Sequence, residues 1–333
     1  MVLIIAEVGV NHNGCLDTAK KLIDIASSAG ADIVKFQTFK SEDLTTEYAP
    51  LAEYQVINSP ELINQKTLLK RLELNINEHK ILKDYSTSRN IEFLSTAFTL
   101  QSVDLLKEIG LSRWKIPSGE INNLPLLEKI SMQNQPVIMS TGMSNLGEIE
   151  IALNILFKNN LPKSKITVLH CNTAYPTPIK DVNLKAMLTI KNCFDINVGY
   201  SDHTEGIEVS IAAAAMGAEI IEKHITLDKN MPGPDHKASL EPKEFIDMVR
   251  SIRNIEIAIG NGIKKPSQSE LANIKVARKS IVAANDINIG DEFTFNNLCI
   301  KRPGDGLPPN MMKYLIGTKA KKKFFTDQLI EFN

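Results

Sequence analysis

Short apolar runs alternate with amphipathic, helix-like segments over the first 262 residues, and this alternation restricts the possible folds more than any other feature. Each run ends in polar, mostly ionisable residues. The predicted strands lie near residues 3–8, 32–37, 91–96, 113–118, 136–141, 165–171, 196–201 and 219–224. Strands that alternate with helices predict an α/β fold with a parallel sheet.

The number of predicted strands favours a closed (β/α)8 barrel, the TIM barrel, which typically spans about 250 residues. In such a barrel the carboxyl ends of all strands meet at one mouth, so the polar residues there predict an active site. A doubly wound open sheet is the alternative. It usually has a glycine-rich phosphate-binding turn after the first strand, and residues 7–14 (EVGVNHNG) lack that spacing.

Two segments depart from the alternation. The first, residues 38–66, is polar and contains Pro50 and Pro60, and it predicts a lid or wall over the barrel mouth. The second begins after the barrel domain, residues 1–262. Residues 263–279 are predicted to be a linker, and residues 280–333 a small β-rich domain. A domain of about 55 residues buries little surface, so we expect it to pack on a barrel.

Composition excludes several classes of function. The chain has 38 basic and 39 acidic residues and a net charge of -1, which argues against a nucleic-acid or membrane-surface protein. No apolar run approaches the roughly 20 residues of a membrane span. The first residues lack the basic segment of a signal peptide. The four cysteines form no CxxC pair, and a reduced, cytoplasmic protein fits best.

Two histidines follow neighbouring predicted strands and are candidate metal ligands. His203 and His224 end the seventh and eighth strands, and neighbouring strands lie about 4.8 Å apart. Two imidazoles with oxygen ligands suit Mn²⁺, Zn²⁺ or Fe²⁺, and an oxygen-rich shell favours Mn²⁺. The alternative is that both histidines form hydrogen bonds without a metal. The carboxylates that could complete the shell are Glu7, Glu120, Asp202, Glu222 and Asp235.

Lysines and hydroxyls near the strand ends predict an anionic, phosphorylated substrate. The lysines are Lys35, Lys115 and Lys223, and each could instead form a Schiff base or point outward into solvent. The hydroxyl donors at the strand ends are Ser118, Ser140, Thr141 and Ser201.

Four loop residues complete the set of candidates. Glu120 follows Ser118 and a glycine, where desolvation could fit it for acid–base catalysis; the alternative is a salt bridge to a lysine. Tyr175 lies in a proline-stiffened loop, and Asp235 follows the eighth strand. Arg302 heads a tight turn in the small domain and matters only if that domain covers a barrel mouth.

These motifs closely resemble the sialic acid synthase family, which includes N-acetylneuraminate synthase and N,N′-diacetyllegionaminate synthase. The resemblance covers nearly the whole chain. Its motifs in the predicted barrel are residues 5–14 (IAEVGVNHNG), 34–40 (VKFQTFK), 114–120 (WKIPSGE), 139–143 (MSTGM), 169–178 (LHCNTAYPTP), 199–204 (GYSDHT), 221–224 (IEKH) and 233–236 (GPDH). Residues 301–304 (KRPG) resemble the signature turn of the family's antifreeze-like (SAF, β-clip) domain.

The resemblance implies condensation of phosphoenolpyruvate with an open-chain N-acylated mannosamine-type sugar, with release of phosphate. The sugar stays open between N-acetylmannosamine and 2,4-diacetamido-2,4,6-trideoxymannose. Residues 228–242 and 277–282 are most similar to the bacterial legionaminate type. The resemblance to the family also implies a divalent metal cofactor, most often Mn²⁺, with Mg²⁺ or Co²⁺ as alternatives. It further implies a domain-swapped homodimer.

Site roles follow from the same resemblance, position by position. His203 and His224 would bind the metal, and Glu120 would be the acid–base residue. Arg302 would reach the N-acyl group from a second subunit. The phosphoenolpyruvate-binding residues would be Lys35, Thr96, Lys115, Ser118, Ser140, Asn172, Thr173 and Ser201. The sugar-binding residues would be Glu7, Gln37, Tyr175 and Asp235, with Glu7 and Lys115 also counted as catalytic.

Two other functions remain as alternatives. One is a Schiff-base or metal-dependent aldolase of another sugar-acid pathway, with Lys115 or Lys223 forming the Schiff base. The other is an ice- or glycan-binding module attached to an inactive barrel. The many ionisable residues at the barrel mouth argue against an inactive barrel.

Overall fold

The computed structural model of the chain describes residues 1–51 and 64–331. It contains two compact units, Met1–Gly260 and Asn261–Asn333. Residues 52–63 of the predicted lid lie outside the described residues.

A closed barrel of parallel strands forms the first unit, with the strands in chain order. The strands are β1 (Leu3–Gly9), β2 (Ile33–Thr38), β3 (Glu92–Ala97), β4 (Trp114–Ile116), β5 (Val137–Ser140), β6 (Ile166–Cys171), β7 (Asn197–Asp202) and β8 (Ile220–His224). Because β1 pairs with both β2 and β8, the sheet has no edge. The predicted TIM barrel is confirmed, and an open sheet is excluded.

A helix follows each strand, as the alternating sequence pattern predicts. These helices are α1 (Leu16–Ser28), α4 (Ile76–Ser88), α5 (Leu100–Ile109), α6 (Leu124–Ser131), α7 (Leu146–Lys158), α8 (Lys185–Phe194), α9 (Glu208–Ala215) and α10 (Pro242–Ile259). Two short helices, α2 (Ser41–Leu44) and α3 (Gln65–Leu72), belong to the connection after β2. In the described part of the chain, no helix is both long and apolar enough to cross a bilayer.

Strand β4 is shorter than its sequence predicts. It ends at Ile116, whereas the apolar pattern extends the strand to residue 118. Pro117 has no backbone N–H for a strand ladder, and Ser118–Glu120 forms a 3-10 turn. This early end turns the chain across the barrel mouth.

The second unit has its own small core. Helix α11 (Gln268–Ala277) lies within the segment predicted to be a linker. Strands β9 (Ser280–Ala283) and β10 (Leu298–Lys301) pair antiparallel, and α12 (Met312–Leu315) follows. The buried residues of this core are Ile281, Ala283, Ile287, Phe293, Leu298, Leu315, Ala320, Phe324 and Ile330. The predicted small antiparallel β domain is confirmed.

Strand alternation determines which side chains enter the barrel. Successive side chains point to opposite faces of a strand. In β8, Glu222 and His224 therefore share the interior face, whereas Lys223 points towards the helix layer. The same alternation puts Lys35 and Gln37 of β2 on the interior face; Gln37 is half-buried, and the other four side chains are buried.

Gly199 in β7 lies where the neighbouring strands come too close for a side chain. A Cβ atom at this position would lie 2.4 Å from the carbonyl oxygen of Ile220 and 2.6 Å from Cδ2 of Leu169. Because the first contact is with backbone, a side chain could be accommodated only by moving β7 away from β8.

We predict that Gly199→Ala lowers the thermal unfolding midpoint, because overpacking typically costs about 1–3 kcal/mol. Differential scanning calorimetry measures the shift. Gly119→Ala is the matched control, because a Cβ at Gly119 would meet no atom within 4 Å. Equal midpoints for the two variants would contradict the prediction.

Candidate active site

A cavity of about 180 Å³ opens at the carboxyl ends of the barrel strands. Every strand, or the loop that follows it, contributes to its wall. The lining residues are Glu7, Lys35, Gln37, Thr96, Phe98, Lys115, Pro117, Ser118, Gly119, Ser140, Met143, Cys171, Thr173, Tyr175, Ser201, His203, Glu222 and His224. Most of the predicted site residues therefore come together here.

A bulge at the end of β1 shapes one wall of this cavity. The pairing of β1 with β2 shifts register between Glu7 and Gly9. Gly9 has a φ of 55°, a conformation that favours glycine. A Cβ atom there would lie 3.2 Å from both Glu7 Oε1 and His224 Cε1, and 3.3 Å from Gln37 Nε2. Gly9 thus lets three site side chains approach the backbone.

Two buried lysines share one carboxylate inside the cavity. Lys35 Nζ lies 2.8 Å from Glu7 Oε2 and 3.5 Å from Glu222 Oε2. Lys115 Nζ lies 3.6 Å from Glu222 Oε1 and donates a hydrogen bond to Ser140 Oγ. Glu222 therefore lies between two ammonium groups.

Hydroxyl groups surround the lysines. Thr96 Oγ1 accepts a hydrogen bond of 3.2 Å from Lys35 Nζ, and Ser201 Oγ donates one of 2.9 Å to Glu222 Oε1. Ser118 Oγ accepts the backbone N–H of Gly142 at 2.9 Å. Cationic and hydroxyl donors on one wall fit a phosphate or carboxylate group.

Burial and charge move the pKa values of the two cavity carboxylates in opposite directions. Burial raises the pKa of Glu7 to about 7, although Lys35 opposes this shift. Burial also acts to raise the pKa of Glu222, but Lys115 and Lys35 together hold it at about 2. At neutral pH, Glu222 is therefore ionised and Glu7 is partly protonated, which leaves the two lysines in charge excess for an anionic ligand.

His203 and His224 lie side by side, with ring centroids 5.5 Å apart. His203 Nδ1 lies 2.6 Å from the carbonyl oxygen of Asn172 and must donate to it, which leaves Nε2 as an acceptor. The Tyr175 hydroxyl lies 3.0 Å from that Nε2. Burial lowers the pKa of His203 to about 4 and the pKa of His224 well below its usual value. Both rings are therefore neutral at pH 7, as metal ligands must be.

These two imidazoles fit a divalent ion with open coordination positions. Nδ1 of His224 is buried and has no hydrogen-bond partner within residues 1–51 and 64–331. A carbonyl oxygen orients the His203 ring, as is usual for metal-binding histidines. Among the same residues, no three His, Cys, Asp or Glu side chains form a metal centre by themselves. Water and substrate oxygens would therefore complete the shell.

Within the first unit, three residues to which the resemblance gives site roles do not line the cavity. Glu120 is half-buried in the 3-10 turn after β4, and its Oε2 accepts a hydrogen bond of 2.6 Å from Asn123 Nδ2. Asn172 contributes its carbonyl oxygen to the orientation of His203. Asp235 is buried in the loop after β8, and burial raises its pKa to about 7.

Arg302 and Lys223 make contacts with other parts of the chain. Arg302 belongs to the second unit, is exposed, and donates from Nε to the carbonyl oxygen of Ala277 at 3.1 Å. Lys223 faces the helix layer and pairs with Asp202, Nζ to Oδ2, at 3.0 Å. It therefore has no contact through which it could form a Schiff base with a ligand in this cavity.

Sequence reasoning did not assign roles to some of the lining residues. Phe98 and Met143 provide apolar surface at the rim, and Met143 is 73% exposed with a φ of 65°. Glu222 is named from the sequence only as one of several candidate metal ligands. Its alternation with His224 in β8 is the signal that places it on the cavity wall.

A TIM barrel whose carboxyl mouth holds two buried lysines beside two histidines is typical of an enzyme that binds an anionic substrate. Comparison with known proteins agrees with this class. Residues 22–264 match the NeuB family and residues 278–333 match the SAF domain. The chain belongs to the NeuB family, so the predicted family is confirmed.

Two relatives named N,N′-diacetyllegionaminic acid synthase cover almost the whole chain. The protein from Campylobacter jejuni is 53% identical, over 98% of this chain and 98% of the relative. The protein from Legionella pneumophila is 45% identical, over 95% of this chain and 89% of the relative. A solved N-acetylneuraminic acid synthetase from Leptospira borgpetersenii is 39% identical, with a TM-score of 0.72 over 82% of this chain and 90% of the solved one.

We predict that Lys115→Met weakens binding of inorganic phosphate by about 10- to 100-fold, the usual worth of a charged hydrogen bond. Isothermal titration calorimetry measures the affinity. Lys129→Met is the control, because Lys129 pairs with Asp104 at the surface, Nζ to Oδ2 at 2.6 Å. Phosphate affinity equal to that of the control would contradict an anion site at Lys115.

Proposed function

We propose that this chain is an N,N′-diacetyllegionaminate synthase. As a NeuB-family enzyme it is a nonulosonic acid synthase, which condenses phosphoenolpyruvate with an N-acylated hexosamine and releases phosphate. The choice of sugar is supported by 53% and 45% identity to two enzymes with the legionaminic name, against 39% to the solved N-acetylneuraminic acid synthetase. The proposed sugar is 2,4-diacetamido-2,4,6-trideoxymannose.

One observation carries the binding of phosphoenolpyruvate: Lys35 and Lys115 are 3% and 2% exposed and face one cavity together. Buried ammonium groups are costly without anionic partners, and Glu222 together with a partly protonated Glu7 supplies fewer than two negative charges. A substrate with both phosphate and carboxylate supplies the rest. The residues proposed to hold it are Lys35, Thr96, Lys115, Ser118, Ser140, Asn172, Thr173 and Ser201.

The proposed sugar subsite lies on the side of the histidines. Gln37 Nε2 lies 3.4 Å from Glu7 Oε1, so their polar groups can share one hydroxyl of the sugar. Tyr175 lies over the His203 ring, with centroids 4.2 Å apart. With a pKa near 7, Glu7 can either accept or donate a proton to a sugar oxygen. Asp235 is proposed to hold a further hydroxyl.

The reaction joins C3 of phosphoenolpyruvate to the aldehyde carbon of the sugar. The aldehyde oxygen gains a proton, water adds to C2, and cleavage of the C–O bond releases inorganic phosphate. Lys35, Lys115 and the hydroxyl donors hold the departing phosphate, and Glu120 is proposed to take the proton from water. A divalent ion at His203 and His224, Mn²⁺ by preference over Mg²⁺ or Co²⁺, supplies Lewis-acid polarisation of the aldehyde.

The metal requirement agrees with the NeuB family, whose members are generally metal-dependent. The assembly is proposed to be a domain-swapped homodimer in which Arg302 of a second copy reaches the N-acyl group. We also propose the domain bounds 1–262, 263–279 and 280–333. A cytoplasmic location is supported by four cysteines that are all unpaired.

The sugar preference is tested with phosphoenolpyruvate, Mn²⁺ and each of two sugars. We predict that kcat/KM for phosphate release is at least about tenfold higher with 2,4-diacetamido-2,4,6-trideoxymannose than with N-acetylmannosamine, because one additional good contact is worth about 1.4 kcal/mol. A preference for N-acetylmannosamine would overturn the choice of sugar. No phosphate release with either sugar would overturn the synthase reaction.

The role of Glu120 is tested by Glu120→Gln. We predict that this variant loses turnover, because the amide cannot take a proton from water, while its affinity for phosphoenolpyruvate stays within about threefold of wild type. Phosphate release and calorimetric titration measure the two properties. Glu128→Gln is the control, because the carboxylate of Glu128 is partly exposed and lies 4.0 Å from Lys158 Nζ in a surface ion pair. Full turnover in Glu120→Gln would remove Glu120 from this role.

A further inference from the structure

A buried ion pair lies directly behind the two histidines, outside the cavity. Lys223 precedes His224 in the chain, and Asp202 precedes His203. Both members of the pair are 0% exposed, and Lys223 Nζ lies 3.0 Å from Asp202 Oδ2. Neither residue lines the cavity, so neither can contact a substrate bound there.

Lys223 contacts the chain on both sides of His203. Besides the pair with Asp202, its Nζ donates a hydrogen bond of 2.5 Å to the carbonyl oxygen of Thr204. One ammonium group therefore holds the residue before His203 and the residue after it. Because Lys223 is covalently joined to His224, this links the segments that carry both rings.

The carboxylate of Asp202 is saturated by local partners. Its Oδ1 accepts hydrogen bonds from the backbone N–H of Thr204 at 2.9 Å and from Thr204 Oγ1 at 2.7 Å. Its Oδ2 accepts one of 2.7 Å from Ser210 Oγ on α9. The cluster is thus anchored to the helix layer as well as to β8.

On its cavity side, His203 is held by the loop after β6. Its Nδ1 donates to the carbonyl oxygen of Asn172, and its own carbonyl oxygen accepts the backbone N–H of Thr177 at 2.8 Å. The ring orientation is therefore fixed from one side and the backbone position from the other. For His224, the ring nitrogen Nδ1 is buried and has no hydrogen-bond partner among the described residues. The distance between the rings therefore depends on the strands that carry them.

We propose that Lys223 and Asp202 are positioning residues that hold His203 and His224 at the separation needed to bind a divalent ion. This inference rests on the proposed metal role of the two histidines. An apolar pair at these positions would fill the same space, but it would not fix one strand end against the other by directed bonds. The ion pair thus acts on metal affinity through backbone position, without contact with the metal.

The test is a titration of the full-length protein with Mn²⁺ alone, followed by calorimetry or by the electron paramagnetic resonance signal of free Mn²⁺. We expect Lys223→Met to lower Mn²⁺ affinity by about tenfold or more, because replacing residues that hold metal ligands in place typically lowers metal affinity by about 10- to 100-fold. The titration is run well below the unfolding midpoint, so that every variant is folded. Wild-type affinity in folded Lys223→Met would overturn the proposal.

A control variant separates positioning from general loss of stability. Arg113 donates to both carboxylate oxygens of Glu92, at 2.7 and 2.9 Å, near the amino-terminal ends of β3 and β4. Arg113→Met removes this ion pair far along the chain from both histidines. It should lower the unfolding midpoint and leave Mn²⁺ affinity unchanged. An equal loss of Mn²⁺ affinity in Arg113→Met would overturn the positioning role.

A double variant covers the case in which Lys223→Met does not fold, since that variant leaves Asp202 as an unpaired buried charge. The double variant Lys223→Met with Asp202→Asn removes both charges while keeping similar volumes. It should fold and still bind Mn²⁺ about tenfold more weakly than wild type. Wild-type affinity in the double variant would overturn the proposal.

Two histidine variants distinguish failure of this inference from failure of the metal assignment. His203→Gln and His224→Gln should each abolish measurable Mn²⁺ binding. If they bind Mn²⁺ as wild type does, the metal site itself is wrong and the positioning role falls with it. If they lose Mn²⁺ while Lys223→Met keeps it, only the positioning role is wrong.

Discussion

The pairing of β1 with β8 is the constraint on which the rest of this enzyme depends. Closure sets Glu7 opposite His224 on one side and opposite Lys35 on the other, so groups that are more than 200 residues apart in sequence lie at one height. Since side chains alternate along each strand, the register that closes the sheet also decides which residues enter the cavity. Strand geometry therefore determines which strand residues face the cavity, and the loops add further residues to that set.

Inside the closed barrel, the ammonium groups of Lys35 and Lys115 are buried close to each other, and the carboxylate of Glu222 offsets part of their repulsion. Two ammonium groups with little access to water repel each other and tend to lose protons, and burial does lower the pKa of Lys115. The carboxylate of Glu222 lies within 3.6 Å of both, and together with Glu7 it raises the pKa of Lys35 above its usual value. These carboxylates hold the proton on Lys35, whereas for Lys115 the cost of burial outweighs the attraction of Glu222 and its pKa stays below the usual value.

The fold could be read from the sequence because each strand–helix unit carries its own local signal, and β1 to β8 all appear near their predicted positions. Residues on the interior face, such as Lys35 and Ser201, follow from the same signal. Lys223 could not be placed, because a shift of one residue reverses the face and strand ends are uncertain by about that much. The position of Glu120 depends on the turn that follows Pro117. The role of Arg302 depends on how subunits assemble, and no local sequence pattern encodes that assembly.

The bulge that places Gly9 against Glu7, Gln37 and His224 has a consequence for how members of this fold can diversify. A side chain at position 9 would displace Glu7, Gln37 and His224, whose atoms lie within 3.3 Å of the place of a Cβ atom, so this position offers no route to a changed substrate preference. Changes in the accepted sugar must instead arise at the rim, where Phe98 and Met143 project apolar surface into the opening. Variants of Phe98 and Met143 that keep Gly9 would therefore change the apolar rim while Glu7, Gln37 and His224 keep their positions.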